Sequence, residues 1–284
     1  MPDDPTSGQP DLTGQVAIVT GGGRGLGRAF AQALAAAGAA VAVAARSAEQ
    51  LAETVVSITT AGGRAIAIPA DVTNQQAIER MVAIVEQQLG PVDVLINNAG
   101  ITTPLGPVWE VEPDEWWRCM ETNVRGPFLC SRAVLPRMVA RRRGRIINVA
   151  STAGLRAVPC NSAYSTSKAA LIRLSEILAA ETQHYGVQVF AINPGLVRTA
   201  MTEYLAESPE GQQWTPWIRE VLATSRDVPP TGAVNLLLFL ASGRGDALTG
   251  RFLNVTDDVV QLVRQQAEIE QGDLYTMRLR VSPA

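Results

Sequence analysis

Of the 24 basic residues in this 284-residue chain only Lys168 is a lysine, and His184 is its single histidine. One histidine leaves a Ser-His-Asp hydrolase a single possible base, and a histidine-built zinc centre too few ligands. His184 itself reads as a helix-end or surface residue. Cysteine is scarce too: Cys119, Cys130 and Cys160 are the only three. Their spacing suits neither a metal nor a redox pair and fits a reducing, cytoplasmic compartment. No apolar run is long enough to span a bilayer, so no membrane partner is expected. The net charge is only −3. The one basic run, Arg141-Arg142-Arg143-Gly144-Arg145, reads as a solvated turn before a strand, so no nucleic acid is expected either. Residues 1–11 begin with a polar, Pro/Gly-rich stretch and read as a flexible extension rather than a signal peptide.

What is present is an ordinary globular composition, 46% hydrophobic and 18% charged. The length suits one α/β domain with a large core. Short apolar runs at 16–19, 40–45, 65–69, 92–96, 145–149 and 187–192 predict buried strands. Helical stretches at 28–37, 48–60, 74–89, 113–138 and 162–184 separate them; Asn74 is a candidate cap, and Gly126-Pro127 should bend the fourth helix. Strands alternating with helices at this spacing imply right-handed crossovers. The predicted architecture is a single doubly wound parallel sheet, a Rossmann fold with helices on both faces, over residues 12–258.

The first strand runs into Thr20-Gly21-Gly22-Gly23-Arg24-Gly25-Leu26-Gly27 directly before a helix. Glycines in such a turn permit positive φ and let backbone N–H groups approach a pyrophosphate at the positive helix end. The spacing is not that of a P-loop. The second strand ends in Ala45-Arg46-Ser47. An acidic residue there would bind a ribose 2′-hydroxyl, whereas an arginine accommodates a 2′-phosphate. Arg46 and Arg24 therefore favour NADP(H) over NAD(H). Ligands of open parallel sheets bind beyond the carboxyl ends of the strands. At those ends stand Asp71-Val72, Asn97-Asn98-Ala99-Gly100, Ser151 and Asn193-Pro194-Gly195-Leu196-Val197-Arg198-Thr199. Tyr164 and Lys168 open a helix on the same edge, four residues apart and so on one face. A cation beside a phenol lowers its pKa from about 10, which would suit Tyr164 to general acid/base work.

The elements TGGGRGLG, DVT, NNAG, ETNVRGPF, NVASTAG, YSTSK and NPGLVRT, in this order from about Gly14 to Thr199, resemble the short-chain dehydrogenase/reductase family. The resemblance implies a catalytic set of Asn123, Ser151, Tyr164 and Lys168. Ser151 rather than Thr152 is the match, lying thirteen residues before the tyrosine. Tyr164 would move the proton, Ser151 would bind the reacting oxygen, and Lys168 would both tune the phenol and hold the nicotinamide ribose. Asn123 would hold a water linking Lys168 to solvent. A cofactor would lie along Gly21, Gly23, Arg24, Gly25, Leu26, Gly27, Arg46 and Ser47, with Asp71 and Val72 at its adenine. Asn98, Ala99 and Gly100 would line its cleft, and Pro194, Gly195, Val197 and Thr199 its nicotinamide end. The family also implies a homodimer or homotetramer, assembled through the helices at 113–138 and 162–184.

Residues 200–226 take the place of a variable substrate lid. Met201, Tyr204, Leu205, Trp214, Trp217 and Ile218 suit either a pocket cover or plain packing. Ile101, Leu105, Trp109, Leu155 and Val158 are candidate walls. The expected substrate is a ketone or secondary alcohol with a sizeable apolar portion. After a last strand at 251–255, residues 259–284 continue as an extension. It is expected to hold a helix at 259–269 and a strand through Tyr275, Met277, Leu279 and Val281, packed on the domain or a neighbouring subunit. Two rival functions are a sugar-nucleotide epimerase or dehydratase, which usually has a differently spaced glycine turn and a larger C-terminal domain, and a non-catalytic dinucleotide sensor.

Overall fold

The strands owe their position to runs of small and β-branched residues that tolerate burial on both faces. In the computed structural model, which describes residues 10–225 and 227–279, strand β1 (Val16–Thr20) is buried along its whole length. The order continues α1 (Gly25–Ala36), β2 (Ala40–Ala45), α2 (Ala48–Thr60), β3 (Arg64–Pro69), α3 (Gln75–Gln88) and β4 (Val94–Asn97). Then come α4 (Pro113–Met120), a π-helical turn (Glu121–Arg125), α5 (Gly126–Arg141), β5 (Gly144–Val149), α6 (Ser162–Thr182) and β6 (Val187–Asn193). Three short helices, α7 (Ala200–Glu207), α8 (Pro209–Trp214) and α9 (Pro216–Ala223), precede α10 (Pro230–Ala241) and β7 (Phe252–Asn254). The extension forms α11 (Val259–Arg264) and α12 (Gln266–Gln271).

Among the described residues seven strands form one sheet in the order β3-β2-β1-β4-β5-β6-β7, and every pairing is parallel. Side chains alternate between the two faces. Ala17 and Val19 of β1, with Val41 and Val43 of β2, point to a core closed by Phe30 and Leu34 of α1, Leu51 of α2 and Leu237 of α10. Val16, Ile18, Ala42 and Ala44 point to the opposite core, closed by Ile78 and Met81 of α3, Val134 of α5 and Leu178 of α6. The chain turns from one side of the sheet to the other between β1 and β4, which opens a crevice at their carboxyl ends.

Several boundaries differ from the sequence reading. The helix expected over 113–138 is split by the π-helical turn and runs on to Arg141. Pro127 lacks an N–H, and its ring would crowd the carbonyl of Asn123, so the helix widens just ahead of it. Helix α1 begins at Gly25, inside the glycine turn, rather than at Arg28. The helix expected at 259–269 is two short ones. No strand forms at 275–279: Asp273 and Tyr275 are left-handed at φ 47° and 60°, incompatible with a pleated strand. The extension nevertheless lies against its own chain. Phe252 N–H donates to Tyr275 O (2.9 Å), and Arg173 donates to Met277 O (2.7 Å). Residues 1–9 of the expected N-terminal extension, Arg226 of the lid and Val281 lie outside the described residues.

Candidate active site

The glycine turn between β1 and α1 is shaped by close approaches. Gly21 has φ +65°, and a Cβ on Gly27 would stand 2.2 Å from Gly21 O and 2.5 Å from Asn98 Nδ2. The turn's carbonyls are held from behind. Asn98 Nδ2 donates to Thr20 O (3.0 Å), and Arg28, anchored on Glu53 at 2.6 Å, donates to Gly23 O (2.6 Å). The hydroxyl of the fully buried Thr54 lies 3.1 Å from Gly22 O. With the acceptors engaged behind, the N–H groups that a helix start leaves without intrahelical partners make an anion cradle at the positive end of α1.

The cradle opens into a cavity of about 1000 Å³ at the carboxyl edge of the sheet. Every residue expected to bind the cofactor lines it, from Gly21 through Arg46, Asp71 and Gly100 to Thr199. Arg24 and Arg46 are exposed there, and neither has an ion-pair partner among the described residues. The Ser47 hydroxyl is committed to capping α2 through Gln50 N–H (3.3 Å). Asp71 is oriented by its own turn, accepting from Thr73 N–H (2.9 Å) and the Thr73 hydroxyl (2.8 Å). The opposite lip is close: the Thr199 methyl lies 3.4 Å from where a Cβ of Gly25 would be. Size, cradle and paired arginines fit a dinucleotide.

Farther along the cavity Ser151, Tyr164 and Lys168 line one wall. The Ser151 hydroxyl acts on the Tyr164 phenol, and Lys168 Nζ lies 5.4 Å from the centre of the phenol ring. The ammonium donates to Val149 O at 2.8 Å. The expected tuning is reversed: burial pushes the Tyr164 phenol up to about 12, only partly opposed by the Ser151 hydrogen bond. Burial also brings Lys168 down to about 8. In each case loss of water disfavours the charged form.

Asn123 does not line the cavity. It is fully buried in the π-helical turn, where its Oδ1 accepts from Ile101 N–H (2.9 Å). Its Nδ2 donates to Ile101 O (2.8 Å) and Ser167 Oγ (2.9 Å). The amide thus ties the segment after β4 to α6, one residue from Lys168.

The expected apolar walls divide. Ile101, Val158, Met201, Leu205, Trp217 and Ile218 line the cavity. Trp214 and Leu105 instead pack with Leu205, Ile218 and Leu222 in a separate lid core, while Trp109 is 84% exposed and Leu155 and Tyr204 are exposed as well. Sequence reasoning missed Arg118, Glu121, Thr122, Arg156 and Asn161, which also line the cavity. Arg156 and Asn161 fall between Ser151 and Tyr164, an interval that had to border the site. Among the described residues there is no cluster of His, Cys, Asp or Glu able to hold a metal ion, and no helix long and apolar enough to cross a membrane.

A family profile described as short chain dehydrogenase matches residues 15–210. A short chain dehydrogenase of Pseudocercospora fijiensis is 44% identical over 196 residues, 68% of this chain and 63% of that protein. A 3-oxoacyl-[acyl-carrier-protein] reductase of Synechocystis is 36% identical over 251 residues, 88% of this chain and 98% of that one. Among solved structures, an NAD⁺-bound xylitol dehydrogenase superposes with a TM-score of 0.78 at 30% identity, covering 86% of this chain and 98% of that one. This chain therefore belongs to the short-chain dehydrogenase/reductase family, enzymes that act on CH–OH and C=O groups with a nicotinamide cofactor.

Proposed function

We propose that the protein is an NADP(H)-dependent oxidoreductase that interconverts a ketone and a secondary alcohol, with Tyr164 as its general acid/base. The observation that carries this reading is the convergence of the glycine cradle, the Ser151/Tyr164/Lys168 wall and an apolar lid on one cavity. Gly21 to Gly27 would hold the pyrophosphate, Asp71 and Val72 the adenine, and Asn98 to Gly100 the cleft side. Pro194, Gly195, Val197 and Thr199 would border the nicotinamide. Bound there, the nicotinamide supplies hydride transfer to or from the substrate carbon. Arg46 and Arg24 favour the 2′-phosphate, whose charge nothing else at the end of β2 would meet. NAD(H) is the alternative, and the xylitol dehydrogenase binds it on the same fold.

Tyr164 gives its proton to the carbonyl oxygen during reduction and removes one from the hydroxyl during oxidation. A phenol held protonated by burial is ready to donate, which suits reduction at neutral pH. Ser151 binds the same oxygen and so fixes the line of proton transfer. Lys168 offers its ammonium to the ribose hydroxyls, and Asn123 positions it through Ser167 and Ile101. Met201, Leu205, Trp217 and Ile218 keep water from the reacting carbon and contact an apolar part of the substrate. Assembly as a homodimer or homotetramer is supported by apolar residues left uncovered on α4, α5 and α6, where Trp117, Phe128 and Ile177 are exposed. A reducing cytoplasmic compartment suits the three free cysteines.

The test is to mix the protein with NADPH or NADH and a panel of ketones and follow nicotinamide absorbance. NADPH should be consumed with an apolar ketone. No consumption of either reduced cofactor with any ketone would refute the reading.

A further inference from the structure

Arg24, Arg46, Arg118, Arg156 and Lys168 line the active-site cavity against only two acidic residues, Asp71 and Glu121. Five basic and two acidic residues give that one surface a net +3, in a chain whose net charge is −3. A cleft lined by one sign of charge between apolar walls focuses its field and draws in ligands of the opposite sign. Part of the excess sits at the end proposed for the cofactor. Arg24 and Arg46 stand at the glycine cradle and the end of β2, and Arg118 is paired with Glu115. Arg118 and Glu121 also belong to the stretch of chain that Arg125 ties to Thr73 O, just beyond β3. Lys168 is committed to Val149 O on the catalytic wall. Arg156 is not accounted for in this way.

Arg156 falls in the interval between Ser151 and Tyr164, and Val158, two residues on, lines the cavity with it. The interval is fixed between α6 and the lid. Gly154 packs on α6, where a Cβ would lie 2.6 Å from Ala169 N, and Gly106 N–H donates to Cys160 O at 2.8 Å. Trp214 Nε1 of the lid stands 3.8 Å from where a Cβ of Gly106 would be. The lid itself gives the cavity Met201, Leu205, Trp217 and Ile218 but no charged side chain. Arg156 therefore brings a positive charge to an otherwise apolar end of the cavity. It is exposed there, and makes neither a hydrogen bond nor an ion pair among the described residues. A planar guanidinium matches a carboxylate through two parallel hydrogen bonds. One guanidinium also balances one negative charge, whereas a phosphate dianion would call for a second cation.

We propose that Arg156 is a specificity-determining residue that binds a carboxylate carried by the substrate, away from the reacting carbon. The substrate is then an oxo acid with an apolar chain, and its reduced form a hydroxy acid. This rests on the function proposed above and adds to it a substrate class and a residue.

The test compares 4-oxopentanoate, 5-oxohexanoate and 7-oxooctanoate with their methyl esters, which keep the ketone and the chain but lose the charge. At neutral pH and low salt the wild type should favour the acid over its ester by about 10- to 100-fold in kcat/KM at the best chain length, the span expected for hydrogen bonds to a charged group. That preference should shrink as salt rises. Arg156→Gln should bring the ratio to within about threefold. Arg156→Lys, which keeps the charge and loses the fork, should retain part of it, and Arg156→Glu should turn the preference towards the ester. Thermal melts and NADPH binding by fluorescence quenching show that each variant is folded. Turnover of the esters by the wild type without a preference for any of the acids, or a preference that survives Arg156→Gln, overturns this proposal alone. Failure to consume any ketone with either reduced cofactor overturns the functional reading and this proposal with it.

Discussion

Replacing Arg46 by alanine should change which nicotinamide cofactor the enzyme prefers. The guanidinium stands exposed at the end of β2 with no anionic partner among the described residues, so its charge is uncommitted. At about 4 Å in water a unit charge pair is worth about 1 kcal/mol, and a 2′-phosphate carries nearly two charges. Hydrogen bonds to a charged group contribute about 1.5–3 kcal/mol. Losing that range raises the Kd for NADPH by about 10- to 150-fold, whereas NADH, which has no 2′-phosphate, should change by less than about threefold. Being solvated, the interaction is screened, and the difference between wild type and Arg46→Ala should shrink as salt rises. Arg24→Ala should act in the same direction, and the double variant should fall short of additivity because both arginines face one dianion. Tryptophan fluorescence gives the two Kd values, and kcat/KM with each cofactor at low and high salt gives an independent reading. A wild type that binds NADH more tightly, or a cofactor ratio unmoved by Arg46→Ala, would refute the reasoning.

Tyr164→Phe should abolish turnover while leaving NADPH affinity within about threefold, because only the proton donor is removed; a variant keeping most of its activity would remove Tyr164 from proton transfer. Gly27→Ala should abolish cofactor binding and cost on the order of 3 kcal/mol, since a Cβ 2.2 Å from a backbone oxygen forces the turn apart; thermal melts and cofactor titration check both. Lys168 gives a pH signature. Below pH about 8 it is charged in both states, and from there to about 10.4 the unfolded chain keeps a proton that the folded one has released. Its contribution to stability should therefore rise with pH across that window, by on the order of 3 kcal/mol. Denaturant titrations at pH 8, 9 and 10 should show wild type gaining on Lys168→Met.

Much of this could be read from the chain because parallel strands buried on both faces announce themselves as unbroken apolar runs. Asn74 was recognisable as a cap for the same kind of reason, since capping is a local bond. The π-helical turn was hidden because it depends on how Pro127 is accommodated against Asn123, and a sequence shows only that a bend is due. The pKa values failed differently. Proximity of Tyr164 and Lys168 follows from spacing, but the sign of the phenol's shift depends on how dry the site is, and dryness is a property of packing. The extension misled because Tyr275, Met277 and Leu279 alternate as a strand would, while the backbone ahead of them turns left-handed at Asp273 and Tyr275.

The glycine turn has its carbonyls fastened from α1, α2 and the residue just after β4 before any ligand arrives. A binding site that is open for business only part of the time loses affinity in proportion to the fraction of molecules in the receptive form. Thr54, Arg28 and Asn98 hold the turn in one form, which would raise that fraction and bring a ligand's affinity towards the intrinsic affinity of the cradle. Residues on the far side of the turn thus govern occupancy by fixing a population.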